Sequence, residues 1–214
     1  MKSAMASRPS PNFDDRPEGA PVDVLVLHYT GMKTAAEAIE RLCDPAAKVS
    51  AHYLIDESGD VTAMVAEEKR AWHAGQSFWR GERSVNGRSI GVELVNPGHE
   101  FGYRDFPAAQ MTALRTLARA ILARHPIPAR NVVGHSDVAP VRKTDPGERF
   151  DWAGLAADGI GLWPGGTPAA DVPAARVIDM LARYGYDTAD GRAAVAAFQR
   201  HFRPACIDGI ADAE

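Results

Sequence analysis

At 214 residues the chain is long for one small domain and short for two large ones, so one full hydrophobic core with a small appendage is expected. Its 24 Lys and Arg against 28 Asp and Glu leave a net charge of −4, which provides no cationic footprint for nucleic acid or for an anionic membrane surface. No stretch approaches the roughly 20 apolar residues of a membrane span, Met1 to Pro9 lacks an apolar export core, and Cys43 and Cys206 lie far apart without CxxC spacing. A soluble, cytoplasmic protein with reduced thiols is the expectation, and a monomer is expected.

Residues 1–20 are rich in Pro, Ser, Asp and Arg with Phe13 as the apolar anchor, which predicts an extended arm. Val24-Leu25-Val26-Leu27 is a continuous apolar run suited to a central strand, and His28 ends it. Standing alone, such a histidine reads as a hydrogen-bonded core residue, but His135 ends a second run of the same kind. Thr34 followed by Glu37 has the form of a capping box and opens a helix through Ile39 and Leu42. The runs 51–56 and 61–65 flank Glu57-Ser58-Gly59-Asp60 and predict a β-hairpin, with His52 inside it as a structural side chain. Trp72-His73-Ala74-Gly75, followed by Phe78 and Trp79, is a loop cluster that reads either as a sugar or peptide platform or as an apolar patch pinning the loop.

Asn86-Gly87-Arg88 turns the chain into an apolar strand over 89–96 with Glu93 in its middle. A carboxylate there must be paired, metal-linked or shifted in pKa, and a raised pKa suits a general base; a solvent-facing position on an edge strand is the alternative. Pro107 to Arg124 carries Met111, Leu114, Leu117, Ala118, Ile121 and Leu122 at helical spacing, predicting the longest helix, which ends at His125-Pro126. Phe150 to Leu155 reads as a return helix or turn, and Trp163 to Pro168 as a Gly/Pro linker. Two further helical patterns, 174–184 and 189–202, present Leu181, Tyr184, Val195, Phe198 and Phe202 on one face; too short to stand alone, they are expected to dock on the main domain.

The chemistry concentrates between Val132 and Gly147. Val132-Val133 has strand propensity and Gly134 releases the backbone, so His135 stands at a strand end beside a loop that brings in Arg142, Lys143 and Asp145. Imidazole and carboxylate both suit zinc, and a catalytic zinc takes three protein ligands with one position open, so a further ligand must come from elsewhere.

The strand ending in His28, then Ser50-Ala51-His52-Tyr53-Leu54-Ile55, Trp72-His73-Ala74-Gly75, Ser89-Ile90-Gly91-Val92-Glu93, Gly134-His135-Ser136-Asp137 and Arg142-Lys143-Thr144-Asp145-Pro146-Gly147 together resemble the AmpD/AmiD-type N-acetylmuramoyl-L-alanine amidases. These are zinc amidases related to phage amidase-type lysozymes and peptidoglycan-recognition proteins. The resemblance spans about residues 20–155, and Ser10 to Pro17 is similar to the family's N-terminal arm. It implies an α/β fold, a central mixed β-sheet flanked by helices with a small α-helical tail. The implied division is an arm (1–20), a zinc amidase domain (21–163), and a linker with a peptidoglycan-binding-like tail (164–214). The tail departs from that module by stopping at Glu214, where a closing helix is expected.

Residue by residue, the resemblance implies one zinc held by His28, His135 and Asp145, Glu93 as general base, and Lys143 stabilising the developing oxyanion. Tyr29, Trp72, His73, Ser136 and Arg142 are the implied substrate contacts. Asp145 stands where the phage and recognition-protein branch carries cysteine, which favours the AmpD/AmiD branch. The implied reaction is hydrolysis of the amide between N-acetylmuramic or 1,6-anhydro-N-acetylmuramic acid and the L-Ala of a muropeptide, in cell-wall recycling. A muropeptide-binding module without hydrolysis and a zinc peptidase cutting within the stem peptide are the competing readings, and cleavage products separate all three.

Overall fold

The computed structural model describes residues 5–165 and 172–212. Gly166, Thr167 and Pro168 of the expected linker, the first four residues of the arm and Glu214 lie outside them. In chain order the elements are β1 (Ala6–Ser7), β2 (Phe13–Asp15), β3 (Val24–Tyr29), α1 (Ala35–Cys43), β4 (Tyr53–Ile55), β5 (Val61–Ala63), β6 (Lys69–Ala71), β7 (Phe78–Trp79), β8 (Glu82–Arg83), β9 (Ser89–Leu94), α2 (Gly98–Phe101), α3 (Ala108–Arg124), β10 (Val132–Gly134), α4 (His135–Val138), α5 (Trp152–Ala157), α6 (Ala174–Tyr184) and α7 (Gly191–Phe202).

A six-stranded mixed sheet runs in the order β1-β5-β4-β9-β3-β10. β3 lies between β9 and β10, parallel to both, and β4 is parallel to β9 and antiparallel to β5. A parallel strand covered on both faces must be apolar on both, which is why Val24-Leu25-Val26-Leu27 carries no alternation. Leu25, Leu27, Ile90, Val92 and Leu94 face α3 and α5, packing on Met111, Leu114, Ile121, Trp152 and Leu155. Val24, Val26 and Val133, on the other face, pack with Trp79 and Val138 and with Leu181, Tyr186, Val195 and Ala197 of the C-terminal segment. The expected docking of the tail is therefore onto the sheet itself. Trp79 is fully buried in that layer rather than presented to solvent, so the loop aromatics divide between wall and core.

The arm is extended, but it is not held through Phe13, which is 41% exposed. Its anchors are polar. Buried Asn12 donates through Nδ2 to the carbonyls of Asp44 and Val49 behind α1, and Arg16 donates to the carbonyls of Glu67, Asn86, Gly87 and Ser89. β1 adds to β5 in parallel and β2 to β6 in antiparallel, so the arm supplies backbone pairing. Among the described residues no helix is long and apolar enough to cross a membrane.

Candidate metal centre and active site

In the parallel register of β3 and β9, His28 is the partner of Glu93, with Val26 opposite Gly91 and Val24 opposite Ser89. Side chains of paired residues leave the sheet on the same face. The face that buries Val24 and Val26 lower down therefore presents an imidazole and a carboxyl group side by side near the C-terminal end of the strands. β10 ends at Gly134, one residue before His135, and the following loop returns Asp145 to the same spot.

Three donor atoms converge there. His28 Nδ1 lies 3.0 Å from His135 Nδ1, and each of these nitrogens is 3.1 Å from Asp145 Oδ2. All three residues are buried, and they are the one group of potential metal ligands found among the described residues. The outward nitrogens are already engaged. His135 Nε2 donates to the Ala74 carbonyl at 3.1 Å, which frees Nδ1 to turn a lone pair inward. His28 Nε2 is 3.1 Å from His73 Nδ1, whose own Nε2 is 3.0 Å from Ser89 Oγ, and in the tautomers that donate outward along this chain His28 Nδ1 also turns a lone pair inward. Two inward lone pairs and a carboxylate oxygen on one point fit a cation. Ligand atoms about 2.0–2.1 Å from a tetrahedral zinc stand about 3.3 Å apart, close to the separations here.

The electrostatics agree with that fit. Burial, reinforced by His135, pushes the His28 pKa down to about 4, so the ring is neutral and able to coordinate at neutral pH. Burial works to raise the pKa of Asp145, but His135 and His28 beside it outweigh that and hold its carboxyl well below the usual carboxylate range. Glu93 goes the other way. Burial, with the charge of Asp145 adding to it, raises its pKa well above normal, against the opposing charge of Lys143. Glu93 Oε2 is buried with no hydrogen-bond partner among the described residues, an unusual state for a carboxyl oxygen and the mark of a group kept ready for something absent.

These residues open into a cleft of about 470 Å³ lined by Tyr29, Trp72, His73, Glu93, His135, Arg142, Lys143 and Asp145, together with Thr30, Arg41 and Glu100. Tyr29 stands at its rim, with its hydroxyl 2.9 Å from His99 Nδ1 and 3.2 Å from Thr144 Oγ1. Trp72 donates its indole N–H to Asp14, which fixes the ring plane against the arm. Arg142 donates to the carbonyls of Ala74 and Gln76 and so fastens one cleft wall to the other. His73 is 8% exposed and serves chiefly as the support behind His28. Ser136 is not brought to the cleft: its side chain is buried, and its backbone N–H holds the Asp145 carbonyl at 2.9 Å. His52 is fully buried, accepting through Nδ1 from the Gly91 amide, and burial pushes its pKa to about 3.

The sequence motifs contain Gly91, Ala74 and Ser89 but do not disclose that these residues support the two imidazoles. A Cβ at Gly91 would stand 2.4 Å from His73 Cγ, so the missing side chain is what lets the supporting imidazole lie against β9. Glycine inside a strand marks close approach of another group, and that was the available signal.

Comparison with known proteins agrees with this geometry. The family model described as N-acetylmuramoyl-L-alanine amidase matches residues 18–148. The N-acetylmuramoyl-L-alanine amidase AmiD of Escherichia coli is 40% identical over 90% of this chain and 79% of its own. The 1,6-anhydro-N-acetylmuramyl-L-alanine amidase AmpD of Citrobacter freundii is 37% identical over 70% of this chain and 87% of its own. The solved complex of Escherichia coli AmiD with anhydro-N-acetylmuramic acid-L-Ala-D-γ-Glu-L-Lys superposes with a TM-score of 0.81 at 36% identity, covering 94% of this chain and 93% of that one.

Proposed function

Because the chain belongs to the N-acetylmuramoyl-L-alanine amidase family, we propose that it hydrolyses the bond between the lactyl carbonyl of N-acetylmuramic or 1,6-anhydro-N-acetylmuramic acid and the L-Ala nitrogen of a stem peptide, using one zinc ion held by His28, His135 and Asp145. Zinc in that position supplies Lewis acidity, polarising a carbonyl and lowering the pKa of water. The observation that supports the reading is the buried Oε2 of Glu93, without a hydrogen-bond partner among the described residues, beside three converging donor atoms.

Glu93 acts as the general base. It takes one proton from water as the oxygen adds to the carbonyl carbon, and returns that proton to the departing L-Ala nitrogen as the C–N bond breaks. A carboxyl group serves both halves, because a base able to take a proton from polarised water remains acidic enough to release it to an amine. Lys143, whose charge is felt at both Glu93 and His28, holds the developing oxyanion, a contribution of about 10²–10³ in rate. Tyr29, Trp72 and Arg142 on the walls contact the sugar and the stem peptide, while His73 and Ser136 act through His28 and Asp145.

The anhydro form is a substrate in this proposal, as in the solved AmiD complex. The functional divisions are the arm (1–20), the amidase segment (21–163) and the C-terminal segment (164–214). The protein works as a monomer in peptidoglycan recycling in the cytoplasm, a compartment that suits its two unpaired cysteines, Cys43 and Cys206. Sedimentation and cell fractionation test these points.

The decisive experiment is mass spectrometry of products from an anhydro-muropeptide and an intact muropeptide, with zinc-replete and chelator-treated protein. Free stem peptide beginning with L-Ala, released only when zinc is present, is expected. Glu93→Gln should bind one zinc yet lose turnover by about 10²–10⁴. Normal turnover by that variant would remove Glu93 from the role of base, and products cut within the stem peptide would replace the amidase reading.

A further inference from the structure

The corner that carries His135 is held from outside the matched family segment. Asp137, two residues beyond that ligand, is fully buried. Its Oδ2 accepts the Gly134 amide and His201 Nδ1, each at 2.7 Å, and its Oδ1 accepts the Tyr186 hydroxyl, also at 2.7 Å. Gly134 is the backbone immediately before His135, whereas Tyr186 and His201 belong to the C-terminal segment and are themselves 2% and 3% exposed. A carboxylate this deep is tolerable only while its oxygens are hydrogen-bonded, and two of its three donors come from the tail.

The second contact runs through Trp152. The His201 ring stacks on it with centroids 3.7 Å apart and planes at 17°. A Cβ added at Gly134 would stand 3.3 Å from Trp152 Cζ2 and 2.7 Å from Pro146 Cδ, so Gly134 is pressed between the tryptophan and the segment that follows Asp145. The Ser136 amide holds the Asp145 carbonyl. The His135 and Asp145 segments thus interlock around the start of α4, whose other side is braced by the tail.

We infer that Asp137, Tyr186 and His201 are positioning residues for the metal centre, and that the C-terminal helices set its affinity for zinc by holding the Gly134–His135 corner. The three touch neither substrate nor metal and act through His135. The inference rests on the ligand assignment made above. Groups that fix a ligand through a neighbour change metal affinity by about 10- to 100-fold when lost.

The test is the zinc dissociation constant of the full-length protein, measured by competition with a chelating dye, for the parent and the variants Tyr186→Phe, His201→Phe, His201→Asn and Met64→Ala. The first two remove one donor each and keep a ring in place, so the constant should rise about 10-fold or more, with lost activity recovered at high zinc. His201→Asn returns an amide N–H toward Asp137 and should restore much of the affinity. Met64→Ala opens a gap in the cluster beneath α1, which contains no residue of α4 or of the C-terminal helices, so it should lower the melting temperature while leaving the constant within about twofold. Unchanged affinity in Tyr186→Phe and His201→Phe, or an equal loss in Met64→Ala, overturns the inference alone. If His201→Phe does not fold, Tyr186→Phe, which removes a single oxygen, carries the comparison. A parent protein that fails to bind one equivalent of zinc in a His135-dependent way overturns the ligand assignment and this inference with it.

Discussion

At the scale of single residues, the site sets function against stability, and Glu93 bears most of that conflict. Its folded pKa is raised well above normal by burial, whereas in the unfolded chain it titrates near 4.5. Below that pH both states hold the proton and Glu93 favours neither. As pH rises, the unfolded chain ionises first, and the folded state loses stability until its own carboxyl ionises. Metal-free Glu93→Gln should therefore melt higher than the metal-free parent at pH 7, with the difference closing toward pH 4.5. A difference that stays flat or widens on acidification would show that Glu93 is ionised in the folded metal-free protein. His28 has the opposite sign. Its pKa is depressed to about 4, so above about 6.5 the ring is neutral in both states and favours neither, and as pH falls from 6.5 toward 4 the unfolded chain takes up the proton first and the folded state loses stability.

At the scale of elements, the sheet places the chemistry and glycine makes room for its support. Gly91→Ala would drive a methyl group into the His73 ring, which must shift from behind His28. The expected result is about 1–3 kcal/mol of destabilisation together with about 10- to 100-fold weaker zinc binding. Calorimetry and dye competition measure the two, and a stability loss with unaltered zinc binding would deny His73 its supporting role. β3, β9 and α3 could be read in the sequence because burial on two faces leaves an unbroken apolar run and burial on one leaves a 3.6-residue repeat. The cap of α1 was equally local, with Thr34 Oγ1 accepting from the Glu37 amide at 3.2 Å. β1, β7 and β8, at two residues each, are too short to carry any period. The convergence of His28, His135 and Asp145 was legible because histidines close two apolar runs and motif order supplied the third group. That His73 backs His28 and Ser136 turns inward was not, since the side of a loop a residue faces is settled by distant packing. Asp137 was the least legible of all, its partners lying 49 and 64 residues away.

At the scale of the whole molecule, the two C-terminal helices complete the second face of the sheet. Leu181 is 4% exposed in a cluster with Val24, Val26 and Val133, so Leu181→Ala should cost about 2–5 kcal/mol, and the loss should register in the whole protein rather than in the tail alone. Denaturant unfolding followed by far-UV circular dichroism and by tryptophan fluorescence should give one coincident transition for parent and variant. Two separated transitions would mean that the tail folds by itself. Shared burial also bears on inheritance. Recombination that joined a foreign C-terminal module after Trp163 would uncover Val24, Val26 and Val133 and leave Asp137 with only the Gly134 amide. Catalytic segment and tail can therefore drift in sequence only as co-adapted halves, and a functional chimera would have to carry a tyrosine and a histidine to the places that Tyr186 and His201 occupy.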